Sequence, residues 1–294
     1  MMNDKDDLQS LDKIKLIELE VASVKVNDTQ ERIEVKYIVD PRSRIMTSNC
    51  FLPEPINIHF NTIEDYENFL KLFDFSTLLI LNFNLTTNIE ILKLFNKYNT
   101  NPNSFFSVSI NDSGELDQKD SNDIFNLINN IKNSNEIYLT LNFPHQKTPE
   151  NFTFSEMSSL KVISIKEVNG TQFLNREIIS HLLNTCPDLR SFRISAINKG
   201  IYYEIMKLIF AKQTSSILSG CKNISFDAHF IMEHDFRPII VNYYQDLFLD
   251  KNFDVSILCF PNDNGKLGYS FYGSKKCHSC GHEHVVNFFF EIES

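Results

Sequence analysis

The chain of 294 residues contains no tryptophan and only 8 glycines. So few glycines leave no glycine-rich phosphate loop. Neither a G-x-S-x-G nucleophile turn nor an H-E-x-x-H metalloprotease helix occurs. Cations are scarce as well: 28 Lys and Arg face 38 Asp and Glu, a formal net charge of −10. That balance lacks the basic footprint of a general nucleic-acid binder and disfavours anionic lipid surfaces, so neither nucleic acid nor membrane is expected as a partner. No apolar run reaches the roughly 18 residues of a membrane-spanning helix. The opening MMNDKDDLQSLDKIKLIELE has acids where a secretory signal needs a basic start and an apolar core. Of the cysteines, Cys50, Cys186, Cys221 and Cys259 are scattered and only Cys277 and Cys280 are close. Together these absences predict a cytoplasmic or nuclear protein in a reducing compartment.

What is present is an ordinary hydrophobic fraction of 42%, unusually rich in Phe, arranged in a recurring pattern. Leu78, Leu81 and Phe83 stand in an L-x-x-L-x-L spacing. So do Phe105, Val108 and Ile110, then Leu160, Ile163 and Ile165, then Leu189, Phe192 and Ile194. A weaker copy includes Ile137, Leu139 and Leu141, and Cys221, Ile224 and Phe226 lead into a last irregular unit. From Leu78 to Phe105 is 27 residues, from Leu160 to Leu189 is 29, and the 55 from Phe105 to Leu160 accommodate two units. Helical patterns separate the strands. Asn61 or Thr62 can cap a helix carrying Ile63, Tyr66, Phe69, Leu70 and Phe73. Thr87 and Glu90 form a candidate capping box, and Ser121 can cap a helix carrying Ile124, Leu127, Ile128 and Ile131.

Repeats of 27–29 residues with a strand and a helix in each are those of a leucine-rich repeat, in which no unit can bury its own apolar side and stacking supplies the core. The reading is an α/β fold: an irregular leucine-rich-repeat-like arc of strand–helix units with β-rich terminal caps. Residues 1–55 form a polar segment and strand hairpin cap, 56–230 the arc, and 231–294 a C-terminal helix and β-hairpin cap. Strands are expected near 254–260, 267–272 and 284–292, with Asn264-Gly265 as a hairpin turn. An ordinary doubly wound α/β domain would also alternate strands and helices.

The corners Asn184-Thr185-Cys186-Pro187-Asp188-Leu189 and Ser219-Gly220-Cys221-Lys222-Asn223-Ile224 each place an aliphatic residue three positions after Cys. This resembles the helix-end corner of the cysteine-containing leucine-rich repeats in F-box proteins, and the chain over about 56–230 is similar to the substrate-facing region of divergent F-box/leucine-rich-repeat-like families. The resemblance implies a substrate receptor-like protein of a cullin–RING ubiquitin ligase. The Skp1 adaptor and a cullin would be partners only through a cryptic F-box. Leu52-Pro53-Glu54-Pro55 has the look of an F-box start but runs into the strand-like INIHF, and residues 1–51 do not read as a three-helix bundle.

No complete catalytic constellation is legible, so the expected activity is non-catalytic protein–protein interaction through the strand side, not an enzyme's. Lys161, Arg190 and Arg193 are the candidate contacts, residues between the apolar strand positions, and Arg190 and Arg193 with Lys199 put positive charge near one strand of an acidic chain. The alternative is a small zinc protein or an enzyme of unrecognised type built on Cys277-His278-Ser279-Cys280-Gly281-His282-Glu283-His284, where Cys277, Cys280, His282 and His284 are the candidate ligands. Against that, His282 and His284 share a strand face by alternation with Val286, Phe288 and Phe290, as in a plain hairpin connector.

Overall fold

The computed structural model describes residues 13–27, 30–41, 54–86, 89–99, 104–112, 118–144, 148–149, 152–218, 225–232, 245–249, 253–261, 267–277 and 281–292. Within them the chain is a mixed α/β protein built on one 13-stranded sheet. The strands are β1 (Ile14–Asn27), β2 (Gln30–Val39), β3 (Ile56–Phe60), β4 (Phe73–Asp74), β5 (Ile80–Leu85), β6 (Ser104–Asp112), β7 (Asn133–Leu141), β8 (Val162–Glu167), β9 (Ser191–Ser195), β10 (Ser225–Met232), β11 (Asp254–Pro261), β12 (Leu267–Lys276) and β13 (Glu283–Ile292). The helices are α1 (Ile63–Leu70), α2 (Glu90–Tyr98), α3 (Gln118–Asn130), α4 (Arg176–Thr185) and α5 (Gly200–Leu218), with a 3-10 turn at Phe75–Thr77. No described helix is long and apolar enough to cross a membrane.

The spatial order is β11-β12-β13-β10-β9-β8-β7-β6-β5-β1-β2-β3. Every pairing from β13 through β10, β9, β8, β7, β6 and β5 to β1 is parallel. The flanking pairs β1–β2, β2–β3, β12–β13 and β11–β12 are antiparallel. From β5 to β10 spatial order equals chain order, without the reversal that makes the ligand crevice of a doubly wound sheet. Nor are both faces covered. In β5 and β8 burial alternates residue by residue, whereas a parallel strand sandwiched between two helix layers is apolar throughout.

The covered face carries the core. Leu81, Val108, Ile137, Ile163, Phe192 and Ala228 form one ladder across six strands, and Phe83, Ile110, Leu139, Ile165, Ile194 and Phe230 the next; all are 2% exposed or less. Helix side chains close over them: Phe95 of α2 meets Phe83 edge-on, and Tyr202 and Phe210 of α5 meet Phe230 and Phe288. Between β7 and β8 no helix is present among the described residues. A loop cluster of Phe143, Phe152 and Phe154 packs there with Phe125 of α3 and Phe173. Each such ring buried contributes about 1.5–3 kcal/mol, so the cluster replaces a helix as cover.

Hydrogen bonds join neighbouring strand and helix segments that are 26–30 residues apart in the chain. Asn111 donates to Asn84 (27 apart), the Phe143 amide to Thr171 (28), Asn169 to Asn142 (27), Tyr202 to the Ile231 carbonyl (29), Lys212 to the Cys186 carbonyl (26) and the Ile197 amide to Glu167 (30).

The expected hairpin of the first two strands is present, as are the three C-terminal strands. β3, expected to open the repeat units, instead pairs antiparallel with β2 and forms the sheet edge, because its partner strand precedes it in the chain. Thr62 caps α1 and Asn175 caps α4. α2 starts at Glu90 with Ile89 in the cap position and no side-chain cap; Thr87 lies outside the described residues. α3 starts at Gln118, so Ser121 lies within it and does not cap it. Cys221, Ile224, Asn264 and Gly265 lie outside the described residues.

Candidate functional site

The face away from the helices is open, and strand alternation decides what it displays. Asn82, Ser109, Tyr138, Ser164, Arg193, His229 and Phe289 stand opposite one another on seven successive strands. The hydroxyl of Tyr138 donates to Glu136 at 2.9 Å. Arg193 is exposed and reaches one oxygen of Glu291 at 3.7 Å, while Nδ1 of His229 lies 3.8 Å from the other. The His229 ring stacks on Phe289 with centroids 4.4 Å apart. Burial holds the His229 imidazole below its usual pKa; Glu291 opposes that shift and Arg193 reinforces it. At neutral pH the ring is therefore uncharged, and the cation serving Glu291 is Arg193.

A second row runs along the strand starts. The amides of Phe106 and Ser107 both donate to the Leu79 carbonyl, at 2.7 and 3.1 Å, and those of Arg190 and Ser191 both donate to the Lys161 carbonyl, at 3.1 and 3.0 Å. In each case two successive amides share one carbonyl, and from the next residue on the strands pair one to one. Lys161 in turn donates to Asn135, and Leu79 to Ile17. Leu79, Phe106, Asn135, Lys161 and Arg190 thus occupy equivalent positions at the starts of successive strands, each directly after a buried residue: Leu78, Phe105, Ser134, Leu160 and Leu189. Leu79 is 46% and Phe106 51% exposed. Lys161 and Arg190 are exposed too, side by side, and among the described residues neither has an ion-pair partner.

The three cations expected to make contacts are thus not equivalent. Lys161 and Arg190 come together at the strand starts. Arg193 stands further along β9 on the open face and is engaged by Glu291. Sequence reasoning missed Tyr138, His229 and Phe289 on the open face, and missed that Leu79 and Phe106 share the row of Lys161 and Arg190. The signal was available for the last two, since each follows Leu78 or Phe105 as Lys161 follows Leu160 and Arg190 follows Leu189. Towards β3 the open face holds a cavity of about 400 Å³ lined by Glu20, Arg32, Glu34, Lys36, Asn57 and His59. Its charges pair internally, Lys36 with Glu20 at 3.4 Å and Arg32 with Glu34.

At the C-terminal turn, Cys277 and His284 are buried and His282 is exposed; Cys280 lies outside the described residues. The Cys277 amide donates to the His282 carbonyl at 2.8 Å and the Gly281 amide to the Cys277 carbonyl at 2.9 Å, closing the hairpin with Gly281 at φ 73°. Val286, Phe288 and Phe290 are buried as a plain hairpin requires. Among the described residues, neither buried ring nitrogen of His284 has a hydrogen-bond partner. Among the described residues no group of three or more His, Cys, Asp or Glu side chains is placed to hold a metal ion.

Compared with known proteins, the chain matches no family model, no curated protein and no solved structure.

Proposed function

We propose that the chain is a non-catalytic protein-binding module, a leucine-rich-repeat-like arc that captures an acidic partner on its strand side. One observation carries the reading. Lys161 and Arg190 stand at the starts of neighbouring strands with no acid partner among the described residues, in a protein of net charge −10. Like charges side by side on a sheet are destabilising, so an arrangement that leaves them uncompensated is explained by an anion supplied from outside. The surrounding face adds the residue types that anchor interfaces, Tyr138 and Arg193, on a rigid sheet. The test is capture of partners from a cell extract at low salt by the chain and by its Lys161→Glu/Arg190→Glu variant. The wild type should retain acidic proteins that the variant loses, by about tenfold or more, with the difference shrinking as salt rises. Equal recovery by both removes the reading. Recovery of the Skp1 adaptor or a cullin in the same experiment is the separate test of ligase membership.

A second reading, zinc binding at the C-terminal turn, is favoured by the unpartnered nitrogens of the buried His284 beside the buried Cys277. Metal content of the purified chain tests it. Stoichiometric zinc, with a chelator lowering the stability of the β12–β13 hairpin, is the expected result. Metal-free protein with unchanged unfolding in chelator refutes it.

A further inference from the structure

The row at the strand starts changes character along its length. Leu79, just before β5, and Phe106 of β6 make an apolar step, with adjacent backbones joined at 2.7 Å and about half of each side chain exposed. Asn135 follows as a neutral spacer, and then come the two cations, Lys161 and Arg190. Single exposed apolar residues are ordinary, but two as neighbours in line with two uncompensated charges form a graded strip.

Resting on the protein-binding reading above, we infer that this strip takes a short extended peptide segment of the partner with two apolar side chains at one end and acidic side chains at the other. The dimensions set the motif. Neighbouring strands lie about 4.8 Å apart, so Phe106 and Lys161 are separated by roughly 10 Å and Leu79 and Arg190 by roughly 19 Å. An extended chain advances about 3.3–3.6 Å per residue, so roughly three residues bridge the apolar and cationic halves and about six span the strip. The segment crosses the strands and is read through side chains, since the backbone groups at these positions already serve the sheet. Charge complementarity selects the acidic end: Glu136 is held by Tyr138 and Glu291 by Arg193, leaving Lys161 and Arg190 as the adjacent cations to be met.

The experiment is panning of a phage-displayed random heptapeptide library on the full chain at low salt, followed by anisotropy titration of the labelled consensus peptide. The expected consensus pairs two apolar residues with two or more acidic residues about three positions away. Leu79→Ser/Phe106→Ser and Lys161→Glu/Arg190→Glu should each weaken it by about tenfold or more, with unchanged circular dichroism. Phe106→Lys is the substitute if the serine pair does not fold. An acidic consensus without apolar residues, sensitive only to the charge variant, overturns the strip while leaving the protein-binding reading intact. No enrichment, or a consensus without acids, overturns both. Binding of phosphatidylserine vesicles in place of peptides, lost in the same variants, assigns the strip to a lipid surface and also overturns the inference.

Discussion

Glu167 offers the sharpest test of how the units are joined. It is 4% exposed, yet its carboxylate accepts three backbone bonds: from Phe173 and Leu174 at 2.7 and 2.6 Å, and from Ile197 at 2.9 Å. The first two come from the loop leading into α4 and the third from the loop after β9, so one side chain ties two consecutive units. Replacing it with alanine strands three donors. A buried donor left without a partner costs about 1–3 kcal/mol, and water entering the space limits the total, so a loss of at least about 3 kcal/mol is expected. Glu167→Gln keeps an oxygen for Phe173 and Leu174 but turns an amide NH2 toward the Ile197 N–H, a loss of about 1–3 kcal/mol. The pH dependence has a sign. Burial pushes the Glu167 carboxyl above its usual pKa, although the Leu174, Ile197 and Phe173 amides and Lys199 pull it back. The folded state therefore holds this proton more tightly than the unfolded chain. That contribution is fully present below the unfolded pKa of about 4.5 and is lost as pH rises through the folded value. The gap between wild type and Glu167→Gln should narrow correspondingly with rising pH. With no tryptophan in the chain, urea unfolding is followed by circular dichroism. Native-state hydrogen exchange locates the loss, about tenfold faster for each 1.4 kcal/mol at the Phe173, Leu174 and Ile197 amides. Loss of under about 1 kcal/mol on Glu167→Ala, or a gap that widens with pH, refutes the reasoning.

A Cβ on Gly273 would sit inside the van der Waals envelope of the Phe248 ring, so Gly273→Ala should destabilise by about 1–3 kcal/mol; recovery on combining it with Phe248→Leu in a double-mutant cycle checks the cause. The Tyr66 hydroxyl is buried without a partner among the described residues, and burial raises its pKa above the usual phenol value, so Tyr66→Phe should leave stability unchanged or raise it by up to about 1 kcal/mol; an equal loss in urea unfolding would show that the hydroxyl has a bond. Asn175 accepts the Ile178 amide at 2.8 Å, so Asn175→Ala should cost about 1 kcal/mol by thermal unfolding, with Asn175→Asp close to neutral.

The strands were legible where burial shows in residue type. Leu78, Phe105, Leu160 and Leu189 are 5% exposed or less, and each opens the pattern that announced it. The weak copy was weak because Ser134 stands in the same place, fully buried, its hydroxyl donating to the Glu136 carbonyl at 2.8 Å. Buried acids were illegible for a related reason. Asp112 and Glu167 share the covered row of Leu85 and Leu141, but a carboxylate is tolerated there only because backbone amides of a neighbouring loop or unit reach it, the Asn142 amide at 3.1 Å in the case of Asp112. Satisfaction across 30 residues leaves no local trace. The placement of β3 escaped for want of any signal in INIHF for its partner strand.

The binding strip shows the same limit at the surface. Charge made Lys161, Arg190 and Arg193 visible, yet charge alone could not separate the two that stand together from the one that Glu291 engages on the open face. That separation depends on the start of β9, where Arg190 and Ser191 share one acceptor, the Lys161 carbonyl. Arg190 is exposed where the alternation of Phe192 to Ile194 would bury it, and it stands in line with Lys161. Opposite Leu79, Phe106 is likewise exposed, an aromatic residue that hydrophobicity alone would assign to the core, while its neighbour Phe105 is buried. Two consecutive phenylalanines with opposite fates cannot be told apart by period-two reasoning. Only the alignment of each unit on its first apolar residue puts Phe106 beside Leu79 and two positions from Lys161, and it is that alignment, not composition, that makes the strip a candidate binding surface.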